Sequence, residues 1–176
     1  LAIENHRQAL MLSEKMLNEN KTSQWLFAHS HGFQLKAWYE IDFGSLDTGI
    51  SDLIQAVDYA ELALSADSGD IKKHHNKRIL LNQLGYFLLE KQAYEQALPY
   101  VTQAVELGQS LRLKAPTNLE YQRELAVSLS TTGEVFQQLG KNSEALNYYQ
   151  QSLVITEFLA TQDKNNFSTV NDFAID

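Results

Sequence analysis

Apolar residues recur at three- and four-residue intervals along almost the whole chain, with no sustained alternation of polar and apolar positions. That pattern belongs to amphipathic helices, each hiding one stripe, and not to strands. Proline and glycine are scarce, two and eight in 176 residues, and turn-forming residues gather in a few places: FGSLD at 43–47, ADSGD at 66–70, KAPTN at 114–118, LGKNS at 139–143 and QDKNN at 162–166. Between them the pattern predicts helices over 1–18, 22–43, 46–66, 70–91, 94–114, 118–139 and 142–163. Helices of about 20 residues are close to 30 Å long, and turns this short make neighbours antiparallel.

The helices repeat. Gly85 and Gly133 are 133 − 85 = 48 residues apart, and the same register pairs Ala97 with Ala145, Leu88 with Phe136, Val101 with Tyr149, Ala104 with Ser152 and Asn118 with Asn166. One step back lie Ala37, Glu40, Gly49, Leu53, Ala56 and Asp70; one step forward, NDFAI at 171–175 repeats RELAV at 123–127. The chain therefore reads as one repeat domain over 1–176, with helix-pair units at about 22–66, 70–114 and 118–163 and partial units at 1–18 and 167–176. It reads equally as a piece of a longer protein. A glycine inside a helix costs about 1 kcal/mol against alanine, so a close helix approach is expected where it recurs. Gly85 is expected to face Ala97 and Gly133 to face Ala145, with the order reversed in the first unit as Ala37 and Gly49.

Composition narrows the function. The net charge of −8 and pI near 5.1 oppose a phosphate backbone, so nucleic acid is not expected as a partner. Cysteine is absent, which removes disulfides and thiolate metal sites. No apolar run reaches the roughly 18–20 residues of a membrane span, and the expectation is a cytoplasmic protein without a membrane partner. His29 and His31 stand two apart on one predicted helix and His74 and His75 are adjacent, so neither pair can chelate one ion from a regular helix. These histidines are expected at the surface or as caps. No nucleophile elbow or phosphate loop is present. The expectation is therefore no enzyme, no metal and no cofactor.

At this point Gly133, Phe136, Gly140, Ala145, Tyr149 and Leu153, and most of the same pattern over 81–107, resemble the tetratricopeptide repeat. The first unit departs from it at Glu40 and Gly49, and the 48-residue period exceeds that family's usual 34, implying longer helices. It looks like the long-helix arrays of larger bacterial signalling proteins and of kinesin light chains. The resemblance implies an all-α fold, a right-handed solenoid of antiparallel helix pairs whose concave face is lined by the first helix of each unit.

On that face the register aligns Gln34, Asn82 and Ser130 in one row, Trp38, Tyr86 and Glu134 in a second, and Asp42, Glu90 and Gln138 in a third. A fourth holds His31, Ile79 and Val127. The amides suit a peptide backbone, the aromatic residues suit an interface anchor, and the carboxylates favour a partner carrying Lys or Arg. Chaperone-binding members hold a C-terminal carboxylate with lysine, arginine and asparagine in these rows. Only Asn82 is of that type here, so that clamp is not expected.

The implied function is a noncatalytic protein- or peptide-binding scaffold module of a larger signalling protein. The alternative is a ligand-sensing domain controlling an attached kinase, protease or nucleotidase. Self-association through open solenoid ends is a further expectation, since Leu10, Leu12 and Met16 at one end and Phe167, Phe173 and Ile175 at the other would lack a neighbouring helix. Lys72, Lys73, Lys77 and Arg78 in IKKHHNKR are expected to pair with Asp67, Asp70 or a neighbouring helix.

Overall fold

A computed structural model describes residues 2–19 and 22–162. Among them the chain forms seven helices and no strand: α1 Ala2–Glu19, α2 Ser23–Phe43, α3 Leu46–Ala66, α4 Ile71–Glu90, α5 Tyr94–Lys114, α6 Leu119–Gln138 and α7 Asn142–Gln162. The fold is all-α, and every helix end lies within one residue of the bound set by the apolar pattern and the turns. None of the described helices is long and apolar enough to cross a membrane. The expected partial unit 167–176, with Phe167, Phe173 and Ile175, lies outside the described residues, as does Asn166.

The 48-residue register is built into the backbone. Helices α2, α4 and α6 begin 71 − 23 = 48 and 119 − 71 = 48 residues apart, and α3, α5 and α7 begin 94 − 46 = 48 and 142 − 94 = 48 apart. Capping explains why the starts are so regular. Thr22 Oγ1 accepts the Trp25 N–H at 3.4 Å, Asp70 Oδ1 the Lys72 N–H at 2.8 Å, and Asn118 Oδ1 the Tyr121 N–H at 3.1 Å. Positions 22, 70 and 118 are the same register, and each offers a short polar side chain to otherwise orphaned donors.

Two helix ends also repeat. After α4, Ala93 N–H reaches the Leu88 carbonyl and Gln92 N–H the Leu89 carbonyl, both at 2.8 Å, with Gln92 at φ 62°. After α6, Lys141 N–H reaches Phe136 and Gly140 N–H reaches Gln137, both at 2.9 Å, with Gly140 at φ 73°. Both are Schellman ends, which need one residue in the left-handed region.

The chain divides into two compact units, residues 1–87 and 88–176, the division falling inside α4, where the apolar pattern marks no boundary. In the first, α2 packs against α1 on one side and α3 on the other. The α2–α3 approach is close because its contact positions are small: Ala37, Ala56, Ala60 and Ala63 are essentially inaccessible. Ser30 Oγ donates to the Ala56 carbonyl at 2.7 Å and Ser23 Oγ to the Ala63 carbonyl at 2.7 Å. A Cβ at Gly49 would meet the Ile41 side chain and stand 3.0 Å from the Ala37 carbonyl oxygen. The Lys36 ammonium pairs with the buried Asp52 carboxylate at 2.7 Å, a further tie between α2 and α3.

In the second, α6 packs between α5 and α7 over a core of Val105, Leu125, Ala126, Leu129, Ile155 and Leu159. Ser152 Oγ donates to the Ala126 carbonyl at 2.9 Å. Positions 126 and 152 are 96 residues beyond 30 and 56, so the same contact is bonded with the hydroxyl supplied from the opposite helix. Ala145 and Ala97 are buried in this unit and Gly85 in the first.

At Gly133 the space beside the backbone is taken by an aromatic ring. The nearest atoms to a Cβ there belong to the Tyr149 ring, at 2.7–3.1 Å. Tyr149 lies one turn beyond Ala145, and its hydroxyl donates to Gln137 Oε1 at 2.9 Å. That bond holds the ring across α6, so the glycine accommodates an aromatic face.

Candidate binding face on helices α2 and α4

Within the first compact unit, side chains of α2 and α4 meet although 48 residues separate their registers. Gln34 Nε2 donates to Gln83 Oε1 at 2.9 Å, and one turn along, the Trp38 indole packs edge-on against Phe87 with centroids 5.4 Å apart. Tyr86 meets the same Phe87 ring edge-on at 5.3 Å. Phe87 is buried and forms the footing; Trp38 and Tyr86 remain 40% and 43% exposed. The face therefore presents two aromatic side chains braced on a buried third, with edge-to-face geometry that limits their rotation.

The surrounding positions sort by depth. Asp42, one turn beyond Trp38, and Glu90, one turn beyond Tyr86, are exposed. Asn82 is half-buried, and its Oδ1 is enclosed without a hydrogen-bond partner among the described residues. Gln34 is buried with its amide spent on Gln83, so it serves packing, contrary to the expectation that it meets a ligand. Ser130 is likewise turned inward. Its hydroxyl lies 2.9 Å from Ser152 Oγ, and because Ser152 gives its proton to the Ala126 carbonyl, Ser130 is the donor of that pair. Glu134 and Gln138, further along α6, are exposed. Of the first expected row, Gln34 is buried and Ser130 half-buried with its hydroxyl bonded to Ser152, while the second and third rows face solvent. In the fourth, His31 and Val127 are exposed and Ile79 is half-buried.

The cationic run at the start of α4 is absorbed locally. Lys73 Nζ lies 2.6 Å from Asp67 and 3.2 Å from Asp70, and the Asp67 bond, outweighing partial burial, raises the Lys73 pKa. Burial pulls the Asp70 carboxyl upward, but the Lys72 N–H and the Lys73 ammonium together set it below its ordinary value. Lys77 pairs with Glu61 of α3, and a His74 ring nitrogen lies 2.8 Å from the Ser68 carbonyl oxygen. Lys72 remains exposed and Arg78 is buried.

His29 departs from the expectation of a surface or capping role. It is only 3% exposed, its ring held edge-on against Tyr59 at 4.4 Å and Phe33 at 5.1 Å. Its burial was legible in one respect: residue 125, in the same register two repeats on, is a core leucine.

The chain matches no family model and no curated protein. Among solved structures it is similar to the crystal structure of BtubC (BKLC) from P. vanneervenii, at 10% identity over 93% of this chain and 91% of that one, with a TM-score of 0.28. A score this low carries no argument.

Proposed function

We propose that the chain is a noncatalytic protein- or peptide-binding scaffold of tetratricopeptide type, acting within a larger bacterial signalling protein. The observation that carries this reading is the pair Trp38 and Tyr86: large, exposed, rigidly braced on Phe87, and delivered to one surface by helices in the same repeat register. Aromatic side chains with few rotatable bonds lose little entropy on binding and dominate interface energetics. Asp42, exposed one turn beyond Trp38 on the same helix, favours a partner segment carrying Lys or Arg. The 48-residue spacing of both helix series supports the repeat assignment.

The test is a peptide array of mixed hydrophobic and basic sequences, followed by titration of hits while watching the Trp38 indole N–H by NMR. Trp38→Ala with Tyr86→Ala should weaken any hit by more than about thirtyfold, the loss of about 2 kcal/mol expected for an interface anchor, with helicity unchanged. Hits that bind the double variant as tightly as the parent would place recognition elsewhere.

A further inference from the structure

The face carrying Trp38 and Tyr86 extends beyond those two rings. Along α2, His31, Leu35, Trp38 and Asp42 follow one another at intervals of four, three and four residues, so the helix pitch stacks them in one stripe about 16 Å long. All four are exposed, Leu35 and Trp38 at 40% each. Half-buried Phe27 adds one more turn, its ring edge-on to His31 at 5.5 Å. On α4, Ile79, Gln83 and Tyr86 repeat the four-and-three spacing. The contacts Gln34–Gln83 and Trp38–Phe87 share one offset, 83 − 34 = 49 and 87 − 38 = 49. The two stripes therefore run in the same direction.

The hydrogen-bonding groups of this face decide what can lie on it. A peptide bound in extended form turns N–H and C=O groups toward the protein, and each must find a partner there to replace the water it loses. The amide oxygens in reach are committed already. Gln83 Oε1 accepts from Gln34 Nε2 at 2.9 Å, Gln34 itself is only 9% exposed, and Asn82 Oδ1 is enclosed by its surroundings. The backbones of α2 and α4 are paired within their own helices. What the stripe offers instead is apolar side-chain area that ends in the Asp42 carboxylate. No basic residue stands in the last turn of α2, so the helix dipole adds to the negative field at that end. A ligand that brings its own backbone hydrogen bonds and asks only for side-chain contacts is a helix.

We propose that the occupant of this face is an amphipathic helix of a partner protein. It packs three apolar residues, spaced by four and three, against Leu35, Trp38 and Tyr86, and places one Lys or Arg, a turn beyond them, over Asp42. Ridges at these spacings interlock on both helices. The proposal rests on the binding reading above and narrows it from any peptide to a helical one.

The experiment titrates the full chain with two alanine-rich peptides of about 20 residues, long enough to be helical alone, and follows the Trp38 indole N–H by NMR. Both carry leucines spaced by four and three on one face and an arginine a turn beyond. The second differs by a proline placed between the leucines on the opposite face, which breaks the helix. Saturable shifts are expected with the first peptide, with helical amide–amide contacts in its bound form, and binding at least tenfold weaker with the second. Leu35→Ser should weaken the first peptide at least fivefold although Trp38 and Tyr86 stay in place. Asp42→Asn should weaken it about two- to fivefold, the worth of an exposed ion pair, and should not affect a peptide with glutamine in place of the arginine. Equal binding of the two peptides, an extended bound form, or unchanged binding by Leu35→Ser would overturn the helical occupant and leave the aromatic pair as a binding site. No shift with the helical peptide would overturn it too, and the peptide array then decides the broader reading by itself.

Discussion

Gln92 and Gly140 occupy the same register at the ends of α4 and α6, and both sit in the left-handed region, at φ 62° and 73°. An L side chain there costs roughly 1–2 kcal/mol, a cost Gln92 bears and Gly140 does not. Gln92→Gly removes it, but frees the unfolded chain by about 0.4–1 kcal/mol, leaving a net gain of about 0.5–1 kcal/mol. Gly140→Ala imposes the reverse. A Cβ at Gly140 would meet nothing within 4 Å, so its loss of about 0.5–1 kcal/mol comes from backbone conformation alone. For a chain of this size each kcal/mol moves the thermal midpoint by about 2–4 °C. Gln92→Gly should therefore raise the midpoint by about 1–4 °C, and Gly140→Ala should lower it by about as much. Thermal denaturation followed by far-UV circular dichroism measures both, and urea titrations with shifted midpoints at unchanged slopes would confirm a change in stability with two-state unfolding intact. If Gln92→Gly destabilises while Gly140→Ala is neutral, the two Schellman ends are not formed as described.

Two other outcomes test the packing and the buried histidine. Ala145 is 3% exposed in the second compact unit, so Ala145→Leu should cost about 1–3 kcal/mol through overpacking; an unchanged thermal midpoint would show that this position has room. Burial holds the His29 imidazole below its ordinary value of 6.5, against the upward pull of Glu14, with Asp58 and Tyr59 facing the same cavity from α3. Because the folded pKa is the lower one, the unfolded chain takes up this proton first as pH falls through about 6.5. Stability should then decline with acidification until pH passes the histidine's own lowered pKa, and level off with respect to this group below it. Urea midpoints near pH 7.5 and near pH 5.5 should differ more for the parent than for His29→Leu, and an equal difference would remove His29 from the titration.

The sequence by itself determined the helices, their ends and the 48-residue register, because each rests on local chemistry. Caps at Thr22, Asp70 and Asn118 bond backbone donors two or three residues away, and apolar periodicity needs only the helix's own pitch. Local pairing of Lys73 with Asp67 and Asp70 was legible for the same reason, since charges so close in sequence meet whatever surrounds them. Only the tertiary structure decided which side chains in a shared register face inward. Gln34 and Ser130 read as surface amide and hydroxyl, yet one is spent on Gln83 and the other on Ser152. The space a side chain at Gly133 would need is taken by the Tyr149 ring, which a hydrogen bond to Gln137 holds in place. His29 is the sharpest case. Beside Phe33 of its own helix, its environment is made by Ser13 from α1 and Tyr59 from α3. Such contacts depend on the distance and rotation between helices, set by the summed volumes of many side chains, and no short stretch of sequence contains that sum.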